Sequence, residues 1–176
     1  MKQELKNMKE NVMRKPLLEK VVLSCGGKSP ELEKSKKLLE FFSGKKAHLI
    51  KAGPKRRIPD FGVKPGLEIG TRVTLRGNEA IDILKKLLGA IDNTLSREQI
   101  IENGFSFGIK EYIEIPGFEY KREIGIRGLN IAVTFIRAGI RVKRKKIKSG
   151  RLPKKQHVSE EEIINFMEDN FKTEIR

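Results

Sequence analysis

Strict alternation of apolar and polar side chains is the feature of this sequence that most constrains its fold. In residues 67–76 every second side chain is apolar or threonine, and the others are charged, polar or glycine. A period of two is that of a β-strand with one buried face. The pattern recurs in residues 129–135, and we extend it over residues 105–115, where Pro116 ends it. These strands require other elements that cover one face of their sheet.

The first third of the chain predicts two helices on either side of a strand at residues 17–25. Residues 1–15 carry apolar side chains at helical spacing, which indicates a first helix. After the strand, Ser29 is a suitable N-cap with Pro30 in the first helical position. Gly44 then ends this second helix, and a short strand follows around residues 47–51.

Three further helix starts are visible. Asn78 can cap a helix with an apolar stripe. Ser96 with Gln99, and Ser159 with Glu162, have the spacing of a capping box. The first box predicts a short helix that ends near Gly104. The second predicts a last, acidic helix, for which packing on the body and contact with a protein partner both remain open.

The expected fold class is α+β: a largely antiparallel sheet with helices packed on one face. A long basic loop projects between two of its strands. The length of 176 residues and the lack of an internal repeat or linker favour one domain over residues 1–176. The second face of the sheet is then free for a partner.

The charge balance indicates a polyanionic partner. The chain has 38 Lys+Arg against 23 Asp+Glu, a formal net charge of +15. A hydrophobic content of 38% still allows a packed core. No apolar run reaches membrane-spanning length, and residues 1–10 are too polar for a signal peptide. We therefore expect a soluble, intracellular protein that binds no membrane.

Few residues are available for catalysis or for a metal site. Cys25 is the single cysteine and is expected to be a small core residue, which excludes an internal disulfide and a thiolate zinc cluster. His48 and His157 have no metal-ligand or nucleophile neighbour at useful spacing. Glu111 and Glu114 fall on opposite faces of the expected strand. We expect no enzyme, no cofactor and no metal.

The loop at residues 53–66, which we call the prong, is the most informative segment. Its three prolines lower the entropy cost of ordering it, which suits a contact surface better than a merely solvated loop. The basic side chains can bind phosphates and the aromatic ring can stack on a base or ribose. The candidate contacts of the prong and its base are Lys51, Lys55, Arg56, Arg57, Phe61 and Lys64.

A second cluster of positive charge covers residues 141–155, which we call the basic segment. It has nine bases and no acid, so ordering on RNA is favoured over a solvated tail. Arg72 and Arg76, on the polar face of their strand, extend this surface unless they are simply exposed strand residues. The candidate RNA contacts of the segment are Arg141, Lys143, Arg144, Lys145, Lys146, Lys148, Arg151, Lys154 and Lys155.

The turn after the first strand has part of a phosphate-binding loop. Gly27, Lys28 and Ser29 precede a helix, but Val22 occupies the position where that motif requires its first glycine. A nucleoside-triphosphate site is therefore disfavoured. The helix start beside Lys28 can still hold an RNA phosphate, or the segment is simply a strand-to-helix turn.

Several motifs in the same order resemble one family, the large-subunit ribosomal protein five that binds 5S rRNA, over nearly the whole chain. The motifs are NVMR at residues 11–14, LEKVV at 18–22, IGTRVTLRG at 69–77 and FSFGIKEYIEIPG at 105–117. Residues 124–129 and the basic segment with its KKQH ending are similar to the archaeal type. Val12 replaces the usual proline, the turn at residues 25–27 is shorter, and the prong carries additional prolines.

The resemblance implies a structural protein of the central protuberance, in the cytoplasm, that helps attach 5S rRNA to the large subunit and its rRNA. It implies that the loop at residues 51–66 reaches P-site tRNA, and that the protein forms an intersubunit bridge to small-subunit head protein thirteen. DNA is not an expected partner. The expected 5S rRNA contacts are Asn11, Met13, Arg14, Ser24, Gly26, Gly27, Lys28 and Ser29.

Two other classes remain open on the residues alone. A free RNA-binding chaperone or translational regulator would be abundant outside ribosomes. An RNA-acting enzyme would need a cleft with perturbed titrating groups, which the sparse histidine and cysteine content argues against.

Overall fold

A computed structural model describes residues 11–28 and 31–176. Its main element is a six-stranded sheet of order β2-β3-β1-β7-β6-β5, in which every neighbouring pair is antiparallel. Its strands are β1 Leu17–Gly26, β2 His48–Lys51, β3 Glu68–Leu75, β5 Ile100–Ile101, β6 Gly104–Ile109 and β7 Leu129–Ile136. The predicted α+β class with a largely antiparallel sheet is confirmed.

The helices of the described residues pack on one face and at one end of the sheet. A second, two-stranded parallel sheet pairs β4 with β8, close to the end of the chain. The helices are α1 Glu31–Ser43, α2 Asn78–Gly89, the single turn α3 Arg141–Arg144 and α4 Glu160–Phe171; the short strands are β4 Thr94–Leu95 and β8 Glu174–Ile175. No helix within these described ranges has the length and hydropathy needed to cross a bilayer.

The inner face of the sheet forms the core. The alternation predicted for residues 129–135 is confirmed, because Leu129, Ile131, Val133 and Phe135 are all buried. The strands beside β7 contribute Leu23 and Phe105, which are 0% and 2% exposed. Helix α1 adds Leu32, Leu38, Leu39 and Phe42, and helix α2 adds Ala80, Leu84, Leu87 and Leu88.

The last helix packs on the body, which settles one of the two possibilities left open by the sequence. Ile163 and Met167 are completely buried, and Phe166 contacts Phe135 edge-on with ring centroids 5.2 Å apart. The expected capping box of Ser159 and Glu162 is present. Of the first-turn acids, Glu160 and Glu161 are exposed and Glu162 pairs with Arg137.

The hairpin predicted between residues 47 and 76 is confirmed. β2 and β3 pair antiparallel, and the prong connects them. Within the prong an isolated bridge joins Ile58 and Val63, and Gly62 donates a backbone hydrogen bond to Pro59 at 2.8 Å. Gly62 has φ 61°, a value that favours glycine. The loop therefore has internal backbone order.

The helix predicted from the Ser96–Gln99 capping box is wrong beyond its first turn. The box forms, but it caps only the 3₁₀ turn Arg97–Gln99. Ile100 and Ile101 then pair with Phe105 and Gly104 as a short hairpin. β-Branched side chains favour strands, and pairing with a neighbouring strand outweighs the cap signal.

Two other predicted boundaries also differ. The strand expected over residues 105–115 ends at Ile109, and Tyr112–Glu114 form a 3₁₀ turn. That turn buries Tyr112, whose hydroxyl accepts a hydrogen bond from the Lys121 backbone at 2.7 Å. Asn78 is the first residue of α2 instead of its cap: Gly77, with φ 68°, occupies the cap position.

Some predictions lie outside the described residues. The helix expected over residues 1–15 falls mostly there, and only its end is described, as the 3₁₀ turn Val12–Arg14. Ser29 and Pro30, expected to begin α1, are also outside. The expected end of that helix is confirmed, since Gly44 follows it with φ 61°.

Candidate nucleic-acid interface

The face of the sheet opposite the core is open and carries small, polar and basic side chains. Strand register places His48, Arg72, Ser24, Asn130 and Gly108 in one row across five strands. The next row is Thr74, Val22, Ala132 and Ser106. Neither row contains an acidic side chain. We call this surface the open face.

The open face suits the close approach of a nucleic-acid backbone. Gly26 and Gly70 are register partners, so neither adds a side chain here; Gly26 is exposed, whereas Gly70 is buried next to Ile50. Arg72 is exposed beside His48, and a shallow depression there is also lined by Lys45 and Lys46. The predicted contacts Ser24, Gly26 and Arg72 therefore lie together on one surface.

The turn after β1 connects the open face to the prong. Gly27 donates a backbone hydrogen bond to Ile69 at 3.2 Å. A Cβ added to Gly62 in the prong would lie 3.5 Å from Nζ of Lys28. Lys28 is therefore next to the tip of the prong, and the two predicted sites form a continuous surface.

The prong is exposed along its basic edge. Lys55, Arg56, Arg57, Phe61 and Lys64 are all exposed, and the Phe61 side chain is exposed to 66%. A large aromatic ring with this exposure can stack on a base. At the base of the loop, Lys51 lies 3.6 Å from the Glu68 carboxylate, so part of its charge is compensated.

The basic segment is folded against the body through specific contacts. The guanidinium of Arg144 forms an ion pair with Glu19 on β1, whose side chain is only 7% exposed. Arg137, just before the segment, donates to the Lys155 carbonyl at 3.0 Å and pairs with Glu162 of α4. The basic segment, for which the sequence favoured ordering on RNA, thus has a contact with the body near each of its ends.

The remaining predicted contacts are divided between two places. Asn11 accepts a hydrogen bond from the Met13 backbone at 2.9 Å, which forms a tight turn with exposed Met13 and Arg14. Arg76 and Lys143 line a groove at the far end of the open face. The other members of the basic segment are exposed outside that groove: Arg141, Lys145, Lys146, Lys148, Arg151, Lys154 and Lys155.

Sequence reasoning missed three basic residues that contribute to this surface. Lys20 lies opposite Thr134 on the open face, as the alternation of β1 could have indicated. Arg127 lies beside Gly27 and donates to Ser35 at 3.1 Å. Arg137 anchors the basic segment. Neither arginine has a sequence signal, because their roles depend on contacts between distant elements.

The described residues contain no group of three or more His, Cys, Asp and Glu side chains arranged to hold a metal ion. Cys25 is buried, as predicted, and its thiol lies 3.5 Å from the Gly128 carbonyl. Burial raises the pKa of the Cys25 thiol to about 11, against a smaller opposing effect of Arg127. A thiol with this pKa is a poor nucleophile at neutral pH.

Comparisons with known proteins agree with these observations. Residues 68–166 match the model of the ribosomal L5P family C-terminus. The large ribosomal subunit protein uL5 of Sulfolobus acidocaldarius is 41% identical, over 95% of this chain and 94% of that protein. The uL5 proteins of Nanoarchaeum equitans and Archaeoglobus fulgidus are 41% and 39% identical, each over 94% of this chain and over 99% and 93% of their own lengths. This chain belongs to the ribosomal L5P family and is of the archaeal type.

Proposed function

We propose that this protein is a structural constituent of the large ribosomal subunit in the cytoplasm, with no enzymatic role. Its specific task is to bind 5S rRNA and help attach it to the large-subunit rRNA at the central protuberance. The supporting observation is the open face: two rows of small, polar and basic side chains, without a carboxylate, on a sheet whose other face is fully packed.

The mechanism of binding is electrostatic and geometric. A-form RNA is recognised by its shape, its phosphates and its exposed loops, because its deep major groove does not admit side chains. A rigid, shallow surface with the exposed glycines Gly26 and Gly108 lets the RNA backbone approach the strands. The surrounding basic side chains release counterions from the phosphates, so binding weakens with salt.

The prong extends this proposal to tRNA. Its tip is exposed, basic and aromatic, and internal hydrogen bonds order its backbone. Such a loop can reach P-site tRNA while the body stays on 5S rRNA. The intersubunit bridge to small-subunit head protein thirteen is proposed from the family resemblance alone.

Binding of the purified protein to 5S rRNA, a transfer RNA and an unrelated hairpin over a salt series tests the main proposal. Neutralisation of about six phosphates gives a slope of log K against log salt near −4 to −5. We expect a preference for 5S rRNA that persists at high salt. Equal and steeply salt-dependent binding to all three RNAs would contradict specific recognition, and a slope near −1 would contradict the electrostatic mechanism.

A triple substitution tests the separate role of the prong. Replacing Lys55, Arg56 and Arg57 with Ala should leave 5S rRNA binding within about twofold and impair tRNA-dependent steps in reconstituted subunits. The matched control is the triple alanine variant of Lys145, Lys146 and Lys148, which removes the same charge from the basic segment. Loss of 5S rRNA binding in the prong variant alone would show that the prong belongs to the 5S rRNA site.

Ribosome association distinguishes the protein from a free RNA chaperone or translational regulator. We expect the protein to co-sediment almost entirely with large subunits in gradients of cell lysate. A major pool outside ribosomes would contradict a purely structural role.

A further inference from the structure

A groove of about 740 Å³ lies between the end of the open face and the basic segment. Its walls come from β1, β7 and the residues that lead into and out of the basic segment. Lys20 and Thr134, which line it, are register partners on the open face. The groove therefore continues the open face, and a strand that lies on the sheet can enter it.

The groove has an apolar floor and a basic rim. Ile136, Ile140 and Leu152 are half-buried at the floor, and Phe135 is buried beneath it. The rim carries the exposed basic side chains of Arg76, Lys143 and Arg144, while Lys20 is half-buried and the side chain of Arg137 is only 9% exposed. Glu19 is the only carboxylate among the lining residues. The volume is that of a typical small-ligand site.

The walls of the groove are held in place before any ligand arrives. Gln156 donates to the Ala138 carbonyl at 2.7 Å, and a Cβ on Gly139 would lie 2.9 Å from the same Nε2. The ion pair of Arg144 with Glu19 joins the basic segment to β1. Arg137, which pairs with Glu162 of α4, donates a hydrogen bond to the Lys155 carbonyl of the segment at 3.0 Å. A groove that is already formed lowers the ordering cost of binding.

We propose that this groove receives an unpaired nucleotide of RNA, with its base or ribose on the apolar floor and its flanking phosphates on the basic rim. This inference rests on the proposed RNA-binding function and adds a second, local site to it. A paired duplex presents phosphates and no free apolar surface, so it would leave the floor uncovered. An apolar peptide would offer no counter-charge to the exposed cations of Arg76 and Lys143. An unpaired nucleotide offers a base or ribose to the apolar floor and phosphates to the basic rim.

The test uses two RNA hairpins that differ only by one unpaired nucleotide in the stem, with the full-length protein. The wild type should bind the bulged hairpin at least fivefold more tightly. Ile140→Ser, on the floor, should remove this preference, whereas Ile147→Ser should keep it, because Ile147 is 76% exposed and lies outside the groove.

Two lysine-to-alanine variants, which remove the same charge, test the basic rim independently of the floor. Lys143→Ala should weaken binding of the bulged hairpin several-fold more than binding of the paired one. Lys146→Ala, in the same segment but outside the groove, should weaken both equally. Both lysines are exposed, so neither change disturbs the core.

The outcomes separate this inference from the function on which it rests. An absent preference for the bulged hairpin, or one that Ile140→Ser and Lys143→Ala leave intact, overturns the groove site. If 5S rRNA binding persists in that case, the proposed function stands. Failure of the wild type to prefer 5S rRNA would instead overturn the proposed function.

Discussion

The two faces of the main sheet are made by the same strands and have opposite chemistry. On the inner face, side chains such as Leu23 and Ile131 are 0% exposed. On the open face, their immediate neighbours Ser24 and Asn130 are polar and accessible. A strand residue thus contributes to stability or to binding according to the face of the sheet on which its side chain lies. The comparison predicts that substitutions one residue apart affect different measurements.

The largest expected effect is a loss of stability on substitution of a residue of the inner face. Phe135→Ala removes a ring that is 1% exposed and packed against Phe105 and Phe166, and should reduce the free energy of unfolding by about 3–5 kcal/mol. Phe61→Ala, the same truncation at a ring with 66% exposure, should change it by less than about 0.5 kcal/mol. Urea denaturation measures both. Similar values for the two variants would contradict the assignment of faces.

The second prediction uses Cys25, whose side chain lies on the inner face between two residues of the open face. Its pKa is about 11 in the folded state against an ordinary 9.0. Below pH 9 the thiol is neutral in both states; above it, the unfolded state ionises first and is favoured. The wild type should therefore lose about 2 kcal/mol relative to Cys25→Ala between pH 8 and pH 11. A pH-independent difference in unfolding free energy would contradict burial of the thiol.

A smaller effect is expected from an added charge on the open face. Asn130→Asp should weaken 5S rRNA binding about fivefold, the factor for roughly 1 kcal/mol of repulsion between unit charges 4 Å apart in water. Asn78→Asp is the matched control, since Asn78 is exposed at the start of α2 and lies outside both rows of the open face. Equal loss of affinity in both variants would show that net charge, and not the open face, governs binding.

The smallest effect on stability is expected at Gly26. An added Cβ would meet nothing closer than the Ile69 carbonyl oxygen at 4.0 Å, so Gly26→Ala should change the unfolding free energy by less than about 0.5 kcal/mol. Gly70→Ala is the comparison, because its Cβ would lie 3.1 Å from the Cys25 carbonyl oxygen. Thermal unfolding ranks the two. A larger loss at Gly26 than at Gly70 would contradict this geometry.

The sequence predicted the parts of the fold in which a local pattern and the tertiary contacts agree. The alternation in residues 129–135 identified β7 and its buried face, and the capping box at Ser159 located the start of α4. At Ile100 the local signals conflict: a cap upstream favours a helix, whereas strand pairing with Phe105 decides the structure. Patterns within one segment do not contain that pairing.

The sequence predicted the positive charge of the candidate surface but did not predict how its residues are arranged in space. The composition indicated a polyanionic partner, and the prong and the basic segment were visible as runs of basic residues. The sequence did not indicate that Arg144 would pair with Glu19, which lies on a strand far away in the chain. Nor did it indicate the groove, whose walls come from β1, β7 and the basic segment.

The position of β1 in the sheet has a consequence for synthesis of the chain. β1 lies between β3 and β7, and Ser24 of β1 and its register partner Asn130 of β7 are 106 positions apart in the sequence. The central strand therefore waits for its second partner until about three-quarters of the protein has been translated, and such distant pairing folds slowly. The open face is completed late, so the nascent chain has no finished RNA-binding surface during the first three-quarters of its synthesis.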